Sequence, residues 1–116
     1  MNKTYVGVVQ KGGGYAGRLG FPTVNIPLED DSISGIYVAR VTVKEGEAPY
    51  MAAVYADQKR KILEAHLLDF SDDLNNMTVT VELFEKLRES EQFADEAALK
   101  AAIADDVAKT REYFTR

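Results

Sequence analysis

Short runs in which residues alternate between two faces recur along the first three quarters of this sequence. The clearest is GIYVARVTV at residues 35–43, where Ile36, Val38, Arg40 and Thr42 would share one face of a strand. Alternation with a period of two is typical of a strand that packs one face against a core. Further strands are predicted at residues 5–10, from Val24 through Ile26, and at residues 50–55, 62–70 and 77–87, with a polar turn at residues 57–61.

One long helical pattern follows the strands, from Asp95 to about residue 113, and Asp95 is a suitable N-cap. An apolar stripe that would face the sheet is formed by Leu99, Ile103, Val107 and Phe114. Short connections between successive strands favour antiparallel pairing. The sequence therefore predicts a mainly β fold, in which an antiparallel sheet closes into a small barrel with a C-terminal α-helix. A chain of 116 residues is long enough for one such domain, residues 1–116.

Charge and cysteine content restrict the classes of partner. The net charge is −5, whereas a protein that binds nucleic acid through its phosphate backbone needs an excess of basic side chains. The absence of cysteine excludes disulfides and thiolate metal sites. The N-terminus has no apolar signal segment, and no apolar run is long enough to span a membrane. We expect a monomeric cytoplasmic protein that binds neither nucleic acid nor membranes.

A glycine-rich segment, KGGGYAGRLGFPTVNIP at residues 11–27, follows the first predicted strand and includes the second. Glycines allow the backbone N–H groups to approach and surround an anionic phosphate. The candidate phosphate-binding residues are Gly12, Gly13, Gly14, Gly17 and Gly20, with charge from Lys11 and Arg18. The spacing matches neither a Walker A motif nor a Rossmann fingerprint, so a surface loop without a ligand is the alternative.

Thr23 and Asn25 follow the glycines and lie on the same face of an extended segment. Both side chains offer hard oxygen atoms, which Mg²⁺ prefers, and Mg²⁺ commonly keeps substrate phosphates among its ligands. The two residues are therefore candidate Mg²⁺ and phosphate ligands. A local cap or side-chain turn is the alternative interpretation.

Three titratable residues are candidates for chemistry in the second half of the chain. Glu64 lies within an apolar strand, where it could act as a general base or instead face solvent beside Lys61 or Arg60. His66 shares its face and could be a second acid or base, or a hydrogen-bonded structural residue. Arg88 could clamp a phosphate or stack on a planar ring, or be an exposed loop residue.

Two phenylalanines, Phe70 and Phe93, are predicted to be core residues or walls for a flat ligand.

Four segments together resemble the riboflavin kinase domain over nearly the whole chain. They are LGFPTVN at 19–25, GIYVARV at 35–41, EAHLLDFSDDL at 64–74, and LRESEQFADEAALKAAIADDV at 87–107. The resemblance implies a six-stranded antiparallel Greek-key closed barrel with a C-terminal helix. It also implies transfer of the ATP γ-phosphate to the 5′-hydroxyl of riboflavin, giving FMN and ADP with Mg²⁺ as cofactor. Because the chain starts at Met1 without an adenylyltransferase half, we expect FAD synthesis to need a separate protein.

The same resemblance implies a role for each candidate residue. The glycine loop, with Gly12, Gly14, Gly17, Arg18 and Gly20, would cover the nucleotide phosphates. Thr23 and Asn25 would hold Mg²⁺ and phosphate oxygens. Glu64 would be the base that contacts and deprotonates the flavin hydroxyl. Asp69 and Phe70 would border the adenine pocket, and the loop that carries Arg88 would fold over the isoalloxazine.

The chain departs from that family at the rims of these sites. Arg18 directly precedes Leu19, where the family has one residue between them. AAVYADQKRK at residues 52–61 replaces an Asn-Ile-Gly-x-x-Pro-Thr-like segment, and DDLNNM replaces Asp-Leu-Tyr-Gly-Lys. An alternative function is therefore a flavin- or nucleotide-binding module without catalysis. A less favoured hypothesis is an interaction module that docks a partner on the acidic helix face.

Overall fold

The computed structural model describes residues 2–11 and 15–115 and contains six strands and two helices. The strands are β1 (Lys3–Val8), β2 (Val24–Pro27), β3 (Gly35–Thr42), β4 (Tyr50–Asp57), β5 (Ile62–Leu67) and β6 (Thr78–Arg88). A single helical turn, α1 (Tyr15–Arg18), interrupts the glycine-rich segment, and the long helix is α2 (Glu96–Thr115). All predicted strands are confirmed, although β5 ends at Leu67 rather than at residue 70. It stops there because Asp69 has a positive φ of 58°, which turns the chain out of the sheet.

The six strands form one antiparallel sheet in the order β1-β6-β3-β4-β5-β2. Within it β3, β4 and β5 form a meander, and β6 returns to pair with β3, which is a Greek key. The two edge strands approach each other, and a bridge between Gln10 and Asn25 joins this edge. The predicted Greek-key barrel is confirmed, and its closure is nearly complete.

The barrel interior takes one face of each strand. In β3 the inward residues are Ala39 and Val41, which are fully buried, with Tyr37 packed beside them. The outward face of β3 begins with Ile36 and Val38, which are also buried, and α2 packs against β3 and β4. The alternation therefore predicted the two faces correctly, but both faces of this strand are covered.

Helix α2 begins as predicted, since Asp95 Oδ1 accepts a hydrogen bond from the Ala98 backbone N–H at 2.8 Å. The predicted apolar stripe is only partly buried, and the buried residues of the helix are Asp106 and Thr110. The stripe faces the sheet as predicted, since Phe114 contacts Phe84 of β6 and Leu99 and Ile103 line a cavity together with strand residues, but this cavity leaves the stripe only partly buried. No helix in the described part of the chain is long and apolar enough to cross a membrane.

Gly35, at the start of β3, has a φ of 93°, and a Cβ added there would lie 2.5 Å from the carbonyl oxygen of Arg88. Gly46 has a similar φ of 88°, but nothing lies within 4 Å of an added Cβ.

We predict that Gly46→Ala lowers the free energy of unfolding by about 1–2 kcal/mol, from backbone strain alone. Gly35→Ala should cost about 3 kcal/mol or more, because a backbone clash adds to the same strain. Urea denaturation of both variants measures the difference, and equal losses would contradict the close approach of β6 to Gly35.

Candidate functional site

A cavity of about 400 Å³ lies between the outer face of the barrel and α2. Ala53, Tyr55, Glu64 and His66 line it from neighbouring strands of the sheet. Leu99 and Ile103 line it from α2, and Phe21 and Phe93 contribute aromatic walls. Apolar atoms form most of the lining surface, as in many small-molecule sites, but half of the lining residues are polar or charged, among them Arg60, Glu64, Arg88 and Asp106.

Antiparallel pairing of β2 with β5 brings three predicted residues together. Asn25 lies directly opposite Glu64, so both side chains project from the same face of the sheet. The hydroxyl of Thr23, two residues before Asn25, donates a hydrogen bond to Glu64 Oε2 at 3.4 Å. Thr23 and Glu64 both line the cavity. The structure therefore assembles one polar cluster from residues that are about 40 positions apart.

Asn25 has an unusual environment within this cluster. It is 4% exposed, and its Oδ1 atom has no hydrogen-bond partner among the described residues. A buried amide oxygen without a partner is costly, which makes it a good position for a ligand to supply the missing interaction. Among the described residues there is no group of three or more His, Cys, Asp or Glu side chains that could hold a metal ion. A metal here would instead use neutral oxygens, such as Asn25 Oδ1 and the Thr23 hydroxyl.

Glu64 has a second polar neighbour, the charged Arg60, which the sequence offered only as a partner in the solvent-facing alternative. Arg60 Nη2 lies 3.5 Å from Glu64 Oε1, and Arg60 also lines the cavity. The other side of the guanidinium pairs with Asp57, at the end of β4. Burial opposes the charged form of Asp57, but hydrogen bonds from Arg60 and from the Lys59 backbone outweigh it and hold the pKa of Asp57 below its usual value.

His66 is held by the segment that carries Thr23. Its Nδ1 atom lies 2.7 Å from the carbonyl oxygen of Pro22, and because a carbonyl only accepts, Nδ1 carries the hydrogen. The ring of Phe21 contacts the imidazole edge-on, with centroids 5.5 Å apart. These contacts support the structural interpretation of His66, in which it fixes one wall of the cavity.

Arg88 is the last residue of β6 rather than part of a loop, which corrects the predicted location. Its Nε and Nη2 atoms donate to the two carboxylate oxygens of Asp106 at 2.9 and 2.8 Å. These hydrogen bonds raise the pKa of Arg88 above its usual value. The guanidinium also lies 5.7 Å from the ring centre of Phe93. Arg88 lines the cavity, and at 22% side-chain exposure it is not the exposed residue of the alternative interpretation.

Sequence reasoning did not identify Asp106 or Phe21 as site residues. Asp106 could have been identified from its spacing, because it lies three residues after Ile103 and therefore on the same side of the helix. The signal for Phe21 was its position two residues before Thr23.

The glycine loop is only partly described. Gly12, Gly13 and Gly14 lie outside the described residues, so their predicted role stays a prediction. Gly17 and Gly20 are exposed, and Arg18 and Gly20 border a surface hollow that also touches the first turns of α2. None of these three described residues lines the main cavity.

Asp69 and Phe70 follow β5 on the other side of Thr23. Asp69 forms a two-pronged ion pair with Arg111, at 2.9 Å for each contact, and these hydrogen bonds lower the pKa of Asp69. Phe70 packs against Tyr50, with ring centres 4.7 Å apart. It also borders a hollow of about 60 Å³ that shares Thr23 with the main cavity. Thr23 therefore lies between two separate hollows.

The Arg88–Asp106 pair generates a stability prediction. Asp106→Ala should lower the free energy of unfolding by about 2–3 kcal/mol, because it leaves a largely buried guanidinium without its partner. Asp105→Ala is the matched control. The Asp105 carboxylate, next to Asp106 in sequence, pairs with Lys109 on the exposed side of the same helix. We expect little change in that variant. Thermal and urea unfolding measure the loss of stability in both variants. Equal losses in the two variants would contradict the inferred role of Asp106.

The comparisons with known proteins agree with the geometry. The sequence matches the family model for flavokinase, a family described as riboflavin kinase, over residues 2–114. A bifunctional riboflavin kinase/FMN adenylyltransferase from Pseudomonas fluorescens is 38% identical over 112 residues, which is 90% of this chain and 36% of that protein. The chain spans about a third of the length of curated relatives such as this one.

Two solved structures share the fold. A riboflavin kinase from Trypanosoma brucei has a TM-score of 0.73 and 24% identity, covering 99% of this chain and 78% of that one. A structure described as a macrolide-efflux protein from Streptococcus pneumoniae has a TM-score of 0.78 at 24% identity, covering 93% of this chain and 38% of that one. At these identities the likeness concerns the fold alone.

Proposed function

We propose that this chain, which belongs to the flavokinase family of riboflavin kinases, transfers the γ-phosphate of ATP to the 5′-hydroxyl of riboflavin, giving FMN and ADP. The observation that carries the proposal is the cluster of Thr23, Asn25 and Glu64 at a cavity with aromatic walls. Phosphoryl transfer requires mainly positioning and neutralisation of charge, and this cluster offers an acceptor for a proton next to oxygen ligands for a metal.

The cavity under α2 is the proposed flavin site. Its volume of about 400 Å³ lies within the usual range for small-molecule sites. Phe21 and Phe93 are suited to flank the planar isoalloxazine, and Leu99 and Ile103 would cover its apolar part. Arg88, held by Asp106, would contact the ring from the end of β6. A flavin in this cavity would have Glu64 among its contacts.

Glu64 is the proposed general base. Its carboxylate would accept the proton of the 5′-hydroxyl while the hydroxyl oxygen forms a bond to the γ-phosphorus of ATP. The bond from that phosphorus to the oxygen bridging the β- and γ-phosphates would break, and ADP would leave with the bonding electron pair. The proton on Glu64 would then pass to solvent.

The metal part of the proposal concerns Thr23 and Asn25. The unpartnered Oδ1 of Asn25 and the hydroxyl of Thr23 are both suitable for Mg²⁺, and two neutral protein ligands leave room for phosphate oxygens. Bound Mg²⁺ would neutralise charge on the transferring phosphoryl group. The nucleotide would lie on the Phe70 side of Thr23, bordered by Asp69 and Phe70 and covered by the glycine loop with Gly12, Gly14, Gly17, Arg18 and Gly20. A monomeric cytoplasmic enzyme acting on small molecules remains part of this proposal.

Replacing the proposed base tests the catalytic assignment. Glu64→Gln should lower kcat for FMN formation by about 10²–10⁴-fold, because the amide does not accept the hydroxyl proton. Riboflavin affinity should remain within a few-fold of wild type, since the side chain keeps its shape. Chromatography of FMN and ADP measures turnover, and riboflavin fluorescence measures binding. The matched control is Glu47→Gln, in an exposed turn, and full activity in Glu64→Gln would refute the base.

Replacing Asn25 tests the metal assignment. In Asn25→Ala the Mg²⁺ concentration for half-maximal activity should rise at least about 10-fold, because one of two protein oxygens is removed. Riboflavin binding measured without nucleotide and Mg²⁺ should be nearly unchanged. Asn75→Ala, at an exposed position after β5, is the matched control. An unaltered Mg²⁺ requirement in Asn25→Ala would contradict the assignment.

A further inference from the structure

The turn between β4 and β5 carries an arginine that neither the predictions from sequence nor the family resemblance assigned to a site. This turn, residues 57–61, belongs to the segment in which the chain departs from the riboflavin kinase pattern. Arg60 is the fourth residue of the turn, and its side chain lines the cavity together with Glu64. Its other neighbour, Asp57, is 5% exposed and marks the end of β4.

Asp57 determines where the guanidinium of Arg60 lies. Asp57 Oδ1 accepts hydrogen bonds from the backbone N–H groups of Lys59 and Arg60, at 3.0 and 3.2 Å, which shapes the turn. Asp57 Oδ2 accepts a hydrogen bond from Arg60 Nε. One buried carboxylate therefore fixes both the backbone of the turn and the orientation of the arginine side chain.

The guanidinium then reaches Glu64. Arg60 Nη2 contacts Glu64 Oε1 at 3.5 Å, while the Thr23 hydroxyl contacts Oε2 at 3.4 Å. Each oxygen of the Glu64 carboxylate thus has one polar neighbour, and the two neighbours come from different parts of the chain. Three rotatable bonds separate a glutamate carboxylate from the backbone, so these contacts select one orientation of the group.

We propose that Arg60 is a positioning residue for Glu64, anchored by Asp57, an inference that rests on the proposed function of Glu64 as the base. The arginine holds Oε1, so that the carboxylate stays in the cavity beside Thr23 instead of rotating towards solvent. Its effect is on the geometry of proton transfer, and it does not bind the flavin. Misplacing a catalytic group by a small distance is enough to slow a reaction considerably.

The test is steady-state kinetics of Arg60→Met beside Lys59→Met. Both variants remove one positive charge from the same turn and leave an unbranched apolar side chain of similar length, and both positions are exposed, but only Arg60 lines the cavity. We expect Arg60→Met to lower kcat about 10- to 100-fold, with the KM for riboflavin within about 3-fold of wild type. Lys59→Met should keep the wild-type kcat.

Rescue experiments separate positioning from general damage to the fold. Methylguanidinium added to Arg60→Ala should restore part of the lost kcat, but it should restore nothing in the double variant Arg60→Ala/Glu64→Gln. Arg60→Lys should recover only part of the activity, because one ammonium group does not provide the fork that spans two carboxylates.

If Arg60→Met or Arg60→Ala folds poorly, Asp57→Asn serves instead, since it keeps the Oδ1 acceptor for the turn and weakens the hold on Arg60. It should also lower kcat without raising the KM for riboflavin.

The outcomes distinguish this inference from the proposed function. If wild type forms FMN and Glu64→Gln does not, but Arg60→Met matches Lys59→Met in kcat, the positioning role is refuted and the kinase stands. A rise of about 10-fold or more in the KM for riboflavin at unchanged kcat would also refute it, because Arg60 would then bind the substrate. If wild type forms no FMN, the proposed function and this inference fail together.

Discussion

The register between β2 and β5 is the constraint on which the candidate site depends. With Asn25 opposite Glu64, the alternate residues Leu63, Ala65 and Leu67 enter the barrel core, and Glu64 and His66 face the cavity. A slip of one residue would place the carboxylate in the core and an apolar residue in the site. The stability gained by burying these core residues therefore also keeps Glu64 opposite Asn25. Stability and the proposed catalysis share the same register.

The cavity exists because α2 stands off from the outer face of the sheet. The Arg88–Asp106 ion pair and the aromatic contacts of Phe84 with Tyr113 and Phe114 attach the helix to β6. Leu99 and Ile103, nearer the helix N-terminus, face the open space instead of packing tightly. A charged pair at this position costs desolvation, but it ties the helix to the end of a strand in a single geometry. The roof of the proposed flavin site is thus held from one end.

Much of the fold followed from local patterns in the sequence. Alternation located β3, β5 and β6 because the pleat imposes a period of two, short apolar stretches located the other three strands, and Asp95 marked the helix start through its cap. The placement of Arg88 and the burial of Asp106 were missed, because each depends on contact between β6 and α2 and leaves no periodic signal. The early end of β5 was missed because an aspartate with positive φ is not visible in composition.

For the site, the sequence predicted that Thr23 and Asn25 lie together, and the structure adds Glu64 through strand pairing that no local pattern reveals.

A crystal structure of the chain with riboflavin, ADP and Mg²⁺ is the most direct test of the proposed site. We expect the isoalloxazine under α2 between Phe21 and Phe93, the 5′-hydroxyl within hydrogen-bond distance of Glu64, and the metal on Asn25 Oδ1 and the Thr23 hydroxyl. Flavin bound outside this cavity, or a metal away from Asn25, would contradict it.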